Sequence, residues 1–116
     1  MNPPKIDSYR FGQVVIDGDP YTKDVIILPE RVIGGWWRKE GHALHPADLE
    51  VVIEAAPDVL VVGRGAYSRM EITQESRNAL AAAGIELEID NTEAACKRYN
   101  QLREKYKAAA VLHLTC

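Results

Sequence analysis

Val59-Leu60-Val61-Val62 is apolar at every position and runs directly into Gly63-Arg64-Gly65. A strand with one face in water alternates apolar and polar residues, whereas an unbroken apolar run bounded by Pro57 and Gly63 fits a strand covered on both faces. Such strands belong to layered α/β domains, so these few residues constrain the architecture more than any other stretch. The pattern places this strand centrally, and the two glycines after it permit a tight turn.

The flanking sequence supplies the other layers. Tyr9 to Ile16 and Tyr21 to Leu28 are β-rich, and Asp17-Gly18-Asp19-Pro20 between them predicts a β-hairpin. Arg31 to Arg38 reads as a third extended run, followed by a surface loop from Lys39 to His45. Pro46 suits a first helical turn, Asp48 favours its positive end, and Leu49, Val52, Ile53 and Ala56 recur on one face, so a helix is expected from Pro46 to about Ala56. Thr73 can cap a second helix that Gly84 ends. Ile85-Glu86-Leu87-Glu88-Ile89 alternates, as a peripheral strand exposed on one face does. A third helix opens at Asp90, Asn91 or Thr92, with Ala95, Tyr99, Leu102 and Tyr106 as its buried stripe. Ala109 to Leu114 forms the last strand. Strands alternating with helices give one α/β domain over residues 1–116, with a mixed central sheet and an N-terminal hairpin.

Size and charge narrow the function classes. At 116 residues the chain can bury roughly two thirds of its unfolded surface without metal or disulfide staples. Acidic residues outnumber basic ones 17 to 14, which disfavours a phosphate-backbone partner. No apolar run exceeds five residues, against the roughly 20 needed to span a bilayer, and the opening Met1-Asn2-Pro3-Pro4-Lys5 lacks a secretory core. A cytoplasmic address is expected, with Cys96 and Cys116 as free thiols.

Four groups of residues could carry chemistry. Gly63-Arg64-Gly65 follows the buried strand, where open α/β sheets commonly hold ligands; its amides could approach an anion while Arg64 adds a charged fork. A dinucleotide fingerprint is a poor match, because Ser68 replaces the third glycine and the next helix starts only near Thr73. On an extended chain Trp36 and Trp37 point to opposite sides, so one enters the core and the other, beside Arg38, forms a recognition surface. His42 and His45 form H-x-x-H and His113 with Cys116 forms H-x-x-C; neither spacing is diagnostic, so no metal and no cofactor is expected. No nucleophile elbow or triad stands out among Ser8, Ser68, Ser76, Cys96 and Cys116.

Several segments together resemble one family: Trp37-Arg38 with Gly41, Pro46-Ala47-Asp48, Val61-Val62-Gly63-Arg64-Gly65, Gly84-Ile85, Asn91-Thr92-Glu93-Ala94, Tyr99-Asn100-x-Leu102 and the closing His113-x-Thr115-Cys116. They resemble the small α/β domain shared by the adipogenesis-associated domain-containing protein and, more distantly, a mitochondrial complex I assembly factor. The resemblance implies a three-layer, single-domain fold and no established reaction. It favours a protein-interaction or assembly module, whose recognised surface is expected to include the region around Trp37, Arg38 and the Gly63-Arg64-Gly65 turn. The competing expectation is an anion-binding protein or enzyme that uses Gly63, Arg64 and Gly65, with Tyr99, Asn100 or His113 nearby.

Overall fold

The computed structural model describes residues 2–116 and contains two layers of cover on one mixed sheet. The strands are β1 (Ile6–Arg10), β2 (Gln13–Ile16), β3 (Asp19–Tyr21), β4 (Val25–Leu28), β5 (Arg31–Ile33), β6 (Ala43–Leu44), β7 (Val59–Gly63), β8 (Glu71–Ile72), β9 (Glu86–Asp90) and β10 (Ala108–Leu112). The helices are α1 (Glu50–Ala55), α2 (Gln74–Ala82) and α3 (Thr92–Leu102), with a 3-10 turn at Pro46–Leu49 ahead of α1. The central sheet runs β5-β4-β10-β7-β9. β7 pairs in parallel with both β10 and β9, while β4 and β5 are antiparallel, so the mixed character comes from the N-terminal half of the chain.

β7 is buried at all five positions, as its unbroken apolar run requires. It is interior, but β10 holds the middle place. Val59 and Val61 face a core with Ala95, Tyr99 and Leu102 of α3 and Val14 and Ile16 of β2. Leu60 and Val62 face the opposite core, with Leu49, Val52, Leu80 and Met70. The three layers are therefore α3 with the β1-β2-β3 sheet, the central sheet, and α1 with α2. β9 is an edge strand with partly exposed side chains, in agreement with its alternation.

Several expectations change; the third extended run ends at Ile33, and Ala43–Leu44, within the expected surface loop, pairs in parallel with β8 and buries Leu44. The N-terminal hairpin is a three-stranded meander: the run from Tyr9 to Ile16 already turns at Phe11-Gly12, and Asp17-Gly18, both at positive φ, closes a second hairpin between β2 and β3. The expected helix from Pro46 divides at Leu49 into a 3-10 turn and a short α-helix that ends at Ala56 in the left-handed region. The third helix stops at Leu102, leaving Tyr106 outside it and exposed. Caps at the other helix ends are as expected: Thr73 Oγ1 accepts from Ser76 N at 3.1 Å and Asn91 Oδ1 from Ala94 N at 2.9 Å.

Candidate functional site

The parallel strands β7, β9 and β10 end together, with Leu112, Gly63 and Asp90 in one row. From β7 the chain leaves through α2 on one face to β9, then returns through α3 on the other face to β10. The connections leaving β7 and β9 therefore diverge to opposite faces at these carboxyl ends, the usual place for a ligand in open α/β sheets. Gly63-Arg64-Gly65 and His113 lie at this end. Because Leu112 pairs with Val25, the antiparallel β4 brings Asp24 opposite His113.

Asp24 is the hub of a buried ionic cluster. Its Oδ2 accepts from Arg38 Nη1 and from His113 Nδ1, both at 2.7 Å, and its Oδ1 accepts from Leu114 N at 2.8 Å. Arg38 Nη2 donates to Gly41 O at 2.7 Å, and the guanidinium lies 4.7 Å from the centre of the Trp36 ring. A carboxylate can only accept, so Nδ1 of His113 carries the hydrogen toward Asp24. Arg38 Nη2, 3.2 Å from Nδ1, is then a neighbouring cation without an acceptor there. Burial alone would raise the Asp24 pKa, but the hydrogen bonds from His113, Leu114 N and Arg38 outweigh it and hold the carboxyl below its ordinary value. Arg38 Nε and His113 Nε2 are buried without a hydrogen-bond partner among the described residues.

Arg38 is only 8% exposed. It therefore does not share the outer surface with Trp37, and its part in the expected recognition surface is corrected: the carboxylate of Asp24 and the Gly41 carbonyl draw it inward. The two tryptophans separate as the extended chain predicts, with Trp36 half-buried on the core and Trp37 79% exposed. Trp37 stands over an open groove of about 830 Å³ between β5 and α1, whose apolar walls include Ile26, Ile33, Trp36 and Val51. Asp48, Glu50 and Glu54 line it beside Lys39, so acids dominate its polar rim.

The glycine turn is fully engaged within the fold. Arg64 N donates to Asp90 O at 2.9 Å, Gly65 N to Thr92 Oγ1 at 2.8 Å and Ala66 N to Thr115 O at 2.6 Å. Thr92 Oγ1 in turn donates to His113 O at 2.6 Å, tying α3 to both strand ends. Arg64 Nε donates to Met70 O at 2.7 Å. A Cβ on Gly63 would meet Thr92 Oγ1 at 2.9 Å; one on Gly65, where φ is +102°, would collide with the Cys116 main chain. These glycines permit close packing between chain segments, and the amides expected to cradle an anion already have partners.

The remaining candidates sort differently from their sequence pairing. His42 and His113 come together edge to face with ring centres 6.0 Å apart, whereas His45 lies 3.2 Å from Glu40. Among the described residues no three His, Cys, Asp or Glu side chains converge as a metal site. Tyr99 and Asn100 lie away from the turn and hold the N-terminal segment: Tyr99 OH donates to Pro4 O at 2.6 Å and Asn100 Nδ2 to Ile6 O at 2.7 Å. Cys96 is buried, and that burial, with Glu93 nearby, pushes its thiol up to about 12. Sequence reasoning missed Asp24. The available signal was a charged residue opening the wholly apolar Val25–Leu28 run, a place where burial demands a paired partner.

Fold and site together define a three-layer mixed α/β domain with a clamped strand-end cluster. Residues 6–113 match the family described as protein of unknown function (DUF498/DUF598), and the chain belongs to it. The conserved hypothetical protein PH1505 of Pyrococcus horikoshii OT3 is 31% identical over 97% of this chain and 99% of its own, with a TM-score of 0.83. The Rpa2829 protein of Rhodopseudomonas palustris is 27% identical over 97% and 87%, with a TM-score of 0.75. A Bordetella pertussis protein described as a Mth938-like domain is 21% identical over 96% and 85%, with a TM-score of 0.70, and shares the fold. The biochemical function of this family is not established. No helix among the described residues is long and apolar enough to cross a membrane.

Proposed function

We propose that this domain is a protein-interaction or assembly module and that the groove beneath Trp37 receives a segment of its partner. The observation that carries the reading is an indole 79% exposed at the rim of an apolar groove, on a chain segment held by the buried Arg38–Asp24 pair. Tryptophan offers a large apolar area for the loss of few side-chain torsions and is enriched among residues that dominate interface energies. The acidic rim at Glu50 and Glu54 suits a partner segment with an apolar anchor flanked by Lys or Arg.

The kinship with the adipogenesis-associated domain-containing protein belongs to the same proposal and is supported by the closing His113-x-Thr115-Cys116. So does a cytoplasmic setting, supported by two free cysteines. An anion at Gly63-Arg64-Gly65 would have to displace Asp90, Thr92 and Thr115 from the amides they occupy, so this reading puts no ligand there.

A phage-displayed peptide selection on the wild-type domain, counter-selected against Trp37→Ala, tests the groove. Enrichment of sequences with an apolar anchor between basic residues is expected. Equal recovery on both proteins would refute the assignment.

A further inference from the structure

The edge strand β9 offers a second, different mode of recognition. Among the described residues it pairs only with β7, and the main-chain bonds Glu86 N to Asp58 O and Arg64 N to Asp90 O fix which way its peptide groups point. In a parallel ladder a residue bonds to its neighbour through both its N–H and C=O, and the next residue faces away. Glu86, Glu88 and Asp90 therefore bond inward, and the peptide groups of Leu87 and Ile89 face outward. The strand is five residues long, contains no proline and no bulge, and its edge charges are all acidic, which repels like strands and admits basic ones. The opposite edge, β5, has three residues and breaks at Gly34-Gly35, where Gly35 has positive φ. An open groove of about 510 Å³, lined by Val59, Leu102 and Tyr106 with Glu86 and Glu88, runs beside β9.

Charge selects the occupant. Glu88 is paired with Arg98 at 2.7 Å, whereas Glu86 and Asp90 have no salt-bridge partner among the described residues. A second copy of β9 added antiparallel about Glu88 would set Glu88 against Glu88 and Glu86 against Asp90, and like charges directly opposed are destabilising. We propose that β9 is extended by a strand from a partner protein in which Lys or Arg alternates with apolar residues. The basic side chains fall on the face of Glu86, Glu88 and Asp90, and the apolar ones on the face of Leu87 and Ile89.

The test uses an alternating Lys-Val peptide, the same peptide N-methylated at alternate amides, and a Glu-Val control. The Lys-Val peptide is expected to bind and to slow hydrogen exchange at the Leu87 and Ile89 amides. N-methylation on the pairing edge should weaken binding at least tenfold, and Glu86→Lys, an exposed change, by about fivefold. Slowed exchange at Leu87 and Ile89, on the sheet edge opposite β5 and Trp37, reports binding at β9 alone and separates failure here from failure of the groove reading. Equal binding of the methylated or Glu-Val peptide, unaltered exchange at Leu87 and Ile89, or self-association of the domain through β9 would overturn the proposal.

Discussion

Thr92 and Asp24 carry more of the strand-end architecture than their size suggests. Thr92 uses one hydroxyl to accept from Gly65 N and to donate to His113 O. Thr92→Val keeps the shape and orphans both buried main-chain groups, so it should cost about 2–4 kcal/mol in denaturant unfolding. Asp24 has a folded pKa below its ordinary 3.8. A depressed carboxyl pKa contributes stability that is fully present above the unfolded value and is lost as pH falls through the folded one. Melting temperature should therefore drop steeply below about pH 4 in the wild type and more gently in Asp24→Asn, whose stability is lower at neutral pH. Cys96, buried with a raised pKa, should resist alkylation in the native state while the partly exposed Cys116 reacts; mass spectrometry after brief labelling at pH 8 distinguishes them.

At the scale of elements, the strongest local patterns were legible in the sequence. The unbroken run of β7, the alternation of β9 and the caps Thr73 and Asn91 each encode their own structure. The misplaced boundaries have a common cause: turns set by backbone angle look like strand or helix to a pattern of side chains. Phe11-Gly12 lies inside a β-rich run, and the change from 3-10 to α geometry at Leu49 leaves the apolar spacing intact. The candidate site was half legible. Alternation tells that Trp36 and Trp37 separate but not which one faces out, and Arg38 is pulled inward by Asp24, 14 residues away, a pairing that local sequence does not carry. Because Trp37 makes its contribution outside the core, Trp37→Ala should change unfolding free energy by no more than about 0.5 kcal/mol, measured by denaturant titration.

Over the whole molecule, two buried cores on opposite faces hold one sheet rigid, and that rigidity bears on function. The strand-end turn, where many α/β domains place a ligand, is closed by hydrogen bonds to β9, α3 and the C-terminal segment. On the flank, the exposed Trp37 overlooks the groove between β5 and α1, where the proposed partner segment would sit. The same division explains why a strand-to-glycine sequence suggests an anion site: its spacing suits either backbone exposure or tight packing, and only the partners of the amides decide. The most direct measurement is calorimetric affinity for a groove-selected peptide in the wild type, Trp37→Ala and Arg64→Ala. The account predicts at least a tenfold loss for Trp37→Ala and an unchanged affinity for Arg64→Ala. Retained affinity in Trp37→Ala, with loss in Arg64→Ala, would contradict it and return recognition to the glycine turn.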